Sequence, residues 1–173
     1  MSTTSAYFIP VKKFPVGQFK KKAKRILEKL DMIDGYYDEE DEWYASGKRL
    51  EFEYAAIHDT DYLKLVPEAS SAGYGSTCIN CEADIDEEFY DSINEYYDLE
   101  SDSGEEKNMN ELELICKHCN TKMTLGQTKF KYPVLFANQF FQFVDINDEI
   151  EPRLLKKIES KLCCKMQLVY ERM

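Results

Sequence analysis

Cys78-Ile79-Asn80-Cys81 and Cys116-Lys117-His118-Cys119 divide the chain. Within each pair, a gap of two residues lets both sulfurs reach one ion from a tight turn. Two such pairs supply the tetrahedral four-thiolate shell that Zn²⁺ favours. Thirty-four residues separate Cys81 from Cys116, a longer interval than zinc modules usually have. The spacing therefore predicts a metal site with Cys78, Cys81, Cys116 and Cys119 as ligands. It also predicts an unusual segment held between the two halves of that site.

That segment is acidic. Between Glu82 and Glu113, fourteen acids stand against one base, Lys107, so the window carries −13 in a chain whose net charge is −11. The rest of the chain is close to neutral. Phe89, Ile93, Tyr96 and Tyr97 recur at helical spacing among these acids and predict a short amphipathic helix. Ser101–Glu106 reads as a flexible tip. The acidity has two readings. It is a solvated run, or it is a docking surface for a basic partner with Phe89, Tyr90, Tyr96 and Tyr97 as anchors.

On the N-terminal side, Ala6–Val11 reads as a strand that Pro10 ends or places at an edge. Phe19, Ala23, Ile26, Leu27, Leu30 and Ile33 form the apolar face of a helix, with Asp34-Gly35 as its stop signal. The opposite face is basic and includes Lys20, Lys21, Lys24 and Arg25. Tyr36–Asp41 reads as a polar connection. Trp43–Ala45 and Leu50–Tyr54 read as two arms of a hairpin joined through Ser46-Gly47, with Leu50, Phe52 and Tyr54 on the buried side. A further short element is expected over Asp61–Val66. The small-residue stretch Ala69–Thr77 reads as the linker into the metal module.

On the C-terminal side, Phe140–Ile146 is the strongest strand signal in the chain. Pro152 suits a first helical turn, and Leu154, Leu155, Ile158 and Leu162 give that helix an apolar face. Met166, Leu168 and Tyr170 alternate as a final strand. Cys163 and Cys164 read as buried small hydrophobes, His58 as structural, and His118 as an exposed knuckle residue.

The order strand–helix–strand–strand, cysteine insertion, strand–helix–strand resembles a ferredoxin-like α+β sandwich: an antiparallel sheet with helices on one face. The resemblance implies a body made of residues 1–67 and 131–173, with residues 68–130 inserted into it. Within the insertion, the strand–knuckle–strand pattern over residues 76–125 resembles a zinc ribbon of the four-cysteine class. Ribbon knuckles usually have glycine after the second cysteine, whereas Glu82 and Asn120 stand there in this chain. The resemblance implies structural Zn²⁺, with iron in a rubredoxin-like site as a minor alternative.

No apolar run is long enough for a spanning helix, and no secretory signal opens the chain. A reducing cytoplasm is the expected location. The sequence has no Gly-rich phosphate loop, GxSxG or HExxH motif, so nothing in it supports an enzyme. The function expected is a non-catalytic zinc-binding protein that acts as a protein-interaction or adaptor module. The alternative is a nucleic-acid-associated protein that uses Lys20, Lys21, Lys24 and Arg25 of the first helix.

Overall fold

Two apolar stretches far apart in the chain, Ala6–Ile9 and Phe140–Phe143, lie side by side in the main sheet. The computed structural model describes residues 4–66, 74–103, 112–131, 134–147 and 149–172, and leaves out the side chains of 62, 96–103 and 172. The first elements in chain order are β1 (Thr4–Pro10), α1 (Gln18–Lys29), β2 (Ile33–Asp38), β3 (Trp43–Ser46) and β4 (Tyr54–Val66). They are followed by β5 (Ser76–Thr77), α2 (Asp86–Ser103), β6 (Glu113–Ile115), β7 (Lys122–Thr124) and β8 (Lys129–Phe130). The last are β9 (Leu135–Val144), α3 (Pro152–Leu162) and β10 (Met166–Arg172). The chain is α+β and divides into two compact units, Met1–Asp61 with Ala137–Met173, and Tyr62–Phe136.

The first unit is built on a six-stranded sheet in the order β10-β1-β9-β4-β3-β2. β1 lies antiparallel to β10 from Thr4↔Arg172 to Pro10↔Met166, and antiparallel to β9 with Phe8 opposite Phe141. Pro10 ends β1, but β1 is an interior strand and not an edge. Phe8 stacks on Phe141 with ring centroids 4.6 Å apart and meets Phe143 edge-on at 5.6 Å. The buried faces of both helices pack into this same cluster, with Phe19, Ala23, Ile26 and Leu27 from α1 and Leu154, Ile158 and Leu162 from α3. Both helices therefore cover one face of the sheet, as the 3.6-residue period of their apolar positions requires.

α1 starts at Gly17, in the left-handed region at φ 77°, which has no side chain to cap the helix. Asp59 supplies the cap from β4, its Oδ2 accepting the Lys20 N–H at 2.9 Å. Gln139, fully buried on β9, donates from Nε2 to the other Asp59 oxygen at 2.8 Å. It also donates to the Phe14 carbonyl and accepts from the Phe14 N–H. A buried amide with its polar atoms satisfied fixes the approach to the helix at little desolvation cost.

Three expectations change in this unit. α1 ends at Lys29, and Asp31 turns the chain at φ 62°. Asp34-Gly35 is therefore not the stop but part of β2. There Gly35, at φ 69°, supplies the conformation needed where the β2–β3 register shifts between Ile33 and Tyr36. Tyr36 and Tyr37 accordingly lie in a strand and not in a polar connection. The second arm of the expected hairpin is likewise displaced, because β3 pairs with β2 and meets β4 at Tyr44↔Ala55. Residues 50–53 form no strand, although Leu50 and Phe52 are buried and Glu51 and Glu53 exposed, as their alternation requires. Gly47 is needed at this corner, since a Cβ there would run into the Asp31 carbonyl.

The second unit has two small two-stranded sheets, β5-β8 and β6-β7, and the helix α2. Its core gathers Leu65, Tyr74, Ile85, Phe89, Ile93, Leu114, Met123, Leu125 and Val134 around buried Cys78 and Cys116. Asp61–Val66 is the end of β4 and not a separate element. Of the expected linker Ala69–Thr77, residues 69–73 lie outside the description, Tyr74 is a core residue and Ser76–Thr77 form β5.

Candidate metal centre

Each cysteine pair sits in a loop with the same main-chain hydrogen bonds. In the first, Cys78 N–H donates to Ala83 O at 2.9 Å and Glu82 N–H to Cys78 O at 3.1 Å. In the second, Cys116 N–H donates to Thr121 O at 3.0 Å and Asn120 N–H to Cys116 O at 2.8 Å. The residue after the second cysteine is left-handed in both loops, with Glu82 at φ 57° and Asn120 at φ 55°. The position at which ribbon knuckles carry glycine therefore needs positive φ here as well. Asparagine tolerates this conformation, and glutamate bears a conformational cost there.

β5 leads into the first loop, and β6 and β7 flank the second. The four Sγ atoms converge to within 4.8 Å of one another. Cys78 lies 3.7 Å from Cys119, and Cys81 lies 3.7 Å from Cys116, so each close contact joins one loop to the other. A disulfide would need about 2.05 Å, and all four are free thiols. Sulfurs about 2.3 Å from a tetrahedral ion would lie about 3.8 Å apart. The two cross-loop contacts have that spacing, and the cluster could hold one metal ion.

Neighbouring groups push Cys119 and Cys81 in opposite directions. Thr121 holds the Cys119 thiol down to about 6, first through its hydroxyl and then through its backbone. On Cys81 the largest influence is the Ala83 backbone, which favours the thiolate. The Cys119 thiol, desolvation and the remaining thiols outweigh it and push Cys81 up to about 12. Sulfurs packed around one point compete to carry negative charge, so the first proton leaves easily and the last is held. A bound cation removes that competition. Asn80 reaches the same corner, donating to Thr121 Oγ1 at 3.1 Å and lying 3.8 Å from Cys119 Sγ. Sequence spacing singles out the four cysteines. It gives no sign of Asn80 and Thr121, which reach Cys119 only through the folded turn.

The acidic helix α2 is fastened to these loops by its first turn. Asp86 accepts from Gly75 N–H at 3.1 Å and Ser76 N–H at 2.6 Å, next to the first loop. Glu87 pairs with Lys117 Nζ at 3.0 Å, and Glu88 accepts the Lys117 N–H at 3.3 Å, on the second loop. These three acids also lie where the helix dipole favours negative charge. Part of the acidic window is therefore structural, while Asp91 and Glu95 farther along α2 are exposed.

Of the aromatic anchors, Phe89 is fully buried in the core and leaves no surface for a partner. Tyr90 is partly buried, with its ring 5.2 Å from Tyr74. The side chains of Tyr96 and Tyr97 lie outside the description, as do residues 104–106 of the expected tip. Residues 101–103 belong to α2. On α1, Lys20 is paired with Glu42, and Lys24 sits over Tyr36 and Tyr44 at 4.5 and 5.0 Å. Lys21 and Arg25 are exposed. His118 is exposed, and His58 stacks on Phe140 at 4.3 Å. Cys164 is buried, but Cys163 is exposed, because it is the left-handed C-cap of α3 at φ 54°.

Among the described residues, no helix is long and apolar enough to cross a membrane. Comparison with protein-family models, with curated proteins and with solved structures gave no match to this chain.

Proposed function

We propose that the protein is a non-catalytic zinc-binding adaptor whose second unit is folded around one Zn²⁺ held by Cys78, Cys81, Cys116 and Cys119. The observation that carries this reading is the pair of matching loops bringing four sulfurs within 4.8 Å. Four thiolates around one point are the soft, tetrahedral set that Zn²⁺ takes in structural sites, and iron is the minor alternative. When bound, the ion supplies charge neutralisation and cross-linking. With all four positions taken by sulfur, no position is left for substrate or activated water. The remaining work belongs to the chain: Asn80 and Thr121 hold Cys119, and Lys117 holds α2 against the second loop.

The sheet order supports a ferredoxin-like body over residues 1–67 and 131–173, since β10-β1-β9-β4 is the 4-1-3-2 order of that sandwich. β2 and β3 are then an added hairpin, and residues 68–130 a zinc-ribbon-like insertion. The partner surface is the acidic face of α2 beyond its first turn, starting at Asp91 and Glu95, with Tyr90, Tyr96 and Tyr97 nearby. It suits a basic protein in the cytoplasm.

Metal analysis of purified protein tests the site. One zinc per chain is expected, and folded protein containing neither zinc nor iron would refute it. The double variant Asp91→Asn, Glu95→Gln tests the surface, because it leaves Asp86, Glu87 and Glu88 in place. Loss of a captured partner is expected, and unchanged capture would leave the face merely solvated.

A second reading, a nucleic-acid surface, is favoured by one feature of the first unit. α3 adds Arg153, Lys156, Lys157 and Lys161 to exposed Lys21 and Arg25, and the two helices touch where Lys22 donates to the Leu162 carbonyl at 2.8 Å. Binding to DNA or RNA that falls steeply with salt is its signature. No binding at low salt would dismiss it.

A further inference from the structure

We infer that the β2–β3–β4 end of the first unit carries a second binding surface, one that takes an arginine-bearing basic peptide. Trp43 and Tyr54 stack with centroids 4.3 Å apart and planes 14° off parallel, and Tyr37 extends the stack at 6.0 Å from Tyr54. Tyr44 and Ala55 belong to the core beneath. Their chain neighbours Trp43 and Tyr54 therefore point to the opposite face, since side chains alternate along a strand. Tyr37 is 54% exposed, a large aromatic area that the core does not use. β2 is the outer strand of the sheet, so the stack lies at an open margin.

The hairpin's other face shows what such a stack accepts. There Tyr36 stacks on Tyr44 at 5.2 Å, and the Lys24 ammonium sits over both rings. One tyrosine pair thus already holds a cation from within the chain. Charge selects the same ligand class for the outer stack. Six acids and no base lie between Asp34 and Glu42. Glu42 is engaged by Lys20, and Asp38 by the Glu40 and Asp41 N–H groups. Glu39, Glu40 and Asp41 remain exposed. An aromatic platform with an acidic rim attracts guanidinium groups and repels phosphate, so it suits an arginine-rich peptide and not a nucleic acid. The register shifts in β2 disfavour regular strand addition, which leaves recognition to side chains.

Trp43 is the only tryptophan in the chain, so it reports on binding directly. Full-length metal-loaded protein is titrated with an acetylated peptide of alternating arginine and glycine, while Trp43 emission is followed. A saturable change is expected that weakens with salt and is absent for the same peptide with citrulline in place of arginine. Tyr37→Ala, at an exposed site, should weaken binding about three- to tenfold. The triple variant Glu39→Gln, Glu40→Gln, Asp41→Asn should weaken it comparably, and Tyr37→Phe should restore most of the affinity. No change in emission would overturn the proposal. So would unchanged affinity in both Tyr37→Ala and the triple variant, which would place the peptide elsewhere, as on the acidic helix. Quenching by a single-stranded oligonucleotide but not by the peptide would also overturn it, in favour of base stacking.

Discussion

The two units differ in what holds them together. Among the described residues, the core of the first unit gathers twenty-two buried side chains, with Phe8, Phe19 and Phe143 from β1, α1 and β9 each meeting the Phe141 ring. The core of the second gathers eleven, of which two are the metal-site cysteines Cys78 and Cys116. Hydrophobic burial grows with the apolar area removed from water, and small cores need a staple. The first unit can therefore rest on packing, whereas the second depends on whatever draws its four sulfurs together. A protein can thus contain one region whose stability is a matter of shape and another whose stability is a matter of coordination chemistry.

Removing the metal should have the largest effect on this contrast. Chelation, or Cys116→Ser, should unfold the second unit, since structural zinc contributes on the order of 10 kcal/mol to modules of this kind. Amide exchange should become fast over 76–103 and 112–125, while Trp43 emission from the first unit stays native. Simultaneous loss of both signals would break the contrast. Next, Phe143→Ala should cost the first unit about 3–5 kcal/mol through the cavity it leaves. That loss would appear as a lower urea midpoint with zinc content unchanged.

Asp59→Ala should cost about 1–2 kcal/mol, because it uncaps α1 and strips Gln139 of one partner. Its effect should again be confined to the first unit. Acid should act on the second. Cys119 is held at about 6, below an ordinary thiol, so above that pH its thiolate is ready for the ion. Below it, one more proton must be displaced. Apparent zinc affinity should therefore fall by about a further tenfold per pH unit below about 6, as measured by competition with a colorimetric chelator. The smallest change is a gain. Glu82→Gly relieves a left-handed glutamate and should stabilise the metal-loaded second unit by up to about 1 kcal/mol, read as a raised melting temperature.

Much of the first unit was legible because its signals are local and periodic. Phe19, Ala23, Ile26 and Leu27 mark a helix, the apolar run Phe140–Ile146 marks most of β9, and β10 follows from alternation. The errors fell where long-range pairing decides. Tyr36 and Tyr37 look polar and loop-like in sequence, yet they form a strand because β3 offers them a partner. Leu50 and Phe52 alternate like a strand and are buried like one, yet β3 is already paired with β2 and β4. Phe89 gave the same helical signal whether its apolar stripe faced a partner or its own core, and only packing chose the core.

The sequence alone singled out the four cysteines that cluster, because two-residue spacing within a turn is a local constraint on where sulfurs can point. It also determined the acidic window and the apolar faces of the helices, which follow from composition and period. Tertiary structure decided the rest. It brought Cys78 to Cys119 and Cys81 to Cys116 across a gap of thirty-four residues. It spent Asp86, Glu87 and Glu88 on fastening α2, and it stacked Tyr37, Tyr54 and Trp43 from three different strands. Each of these depends on which distant segments share a core, and residue periodicity carries no information about that choice.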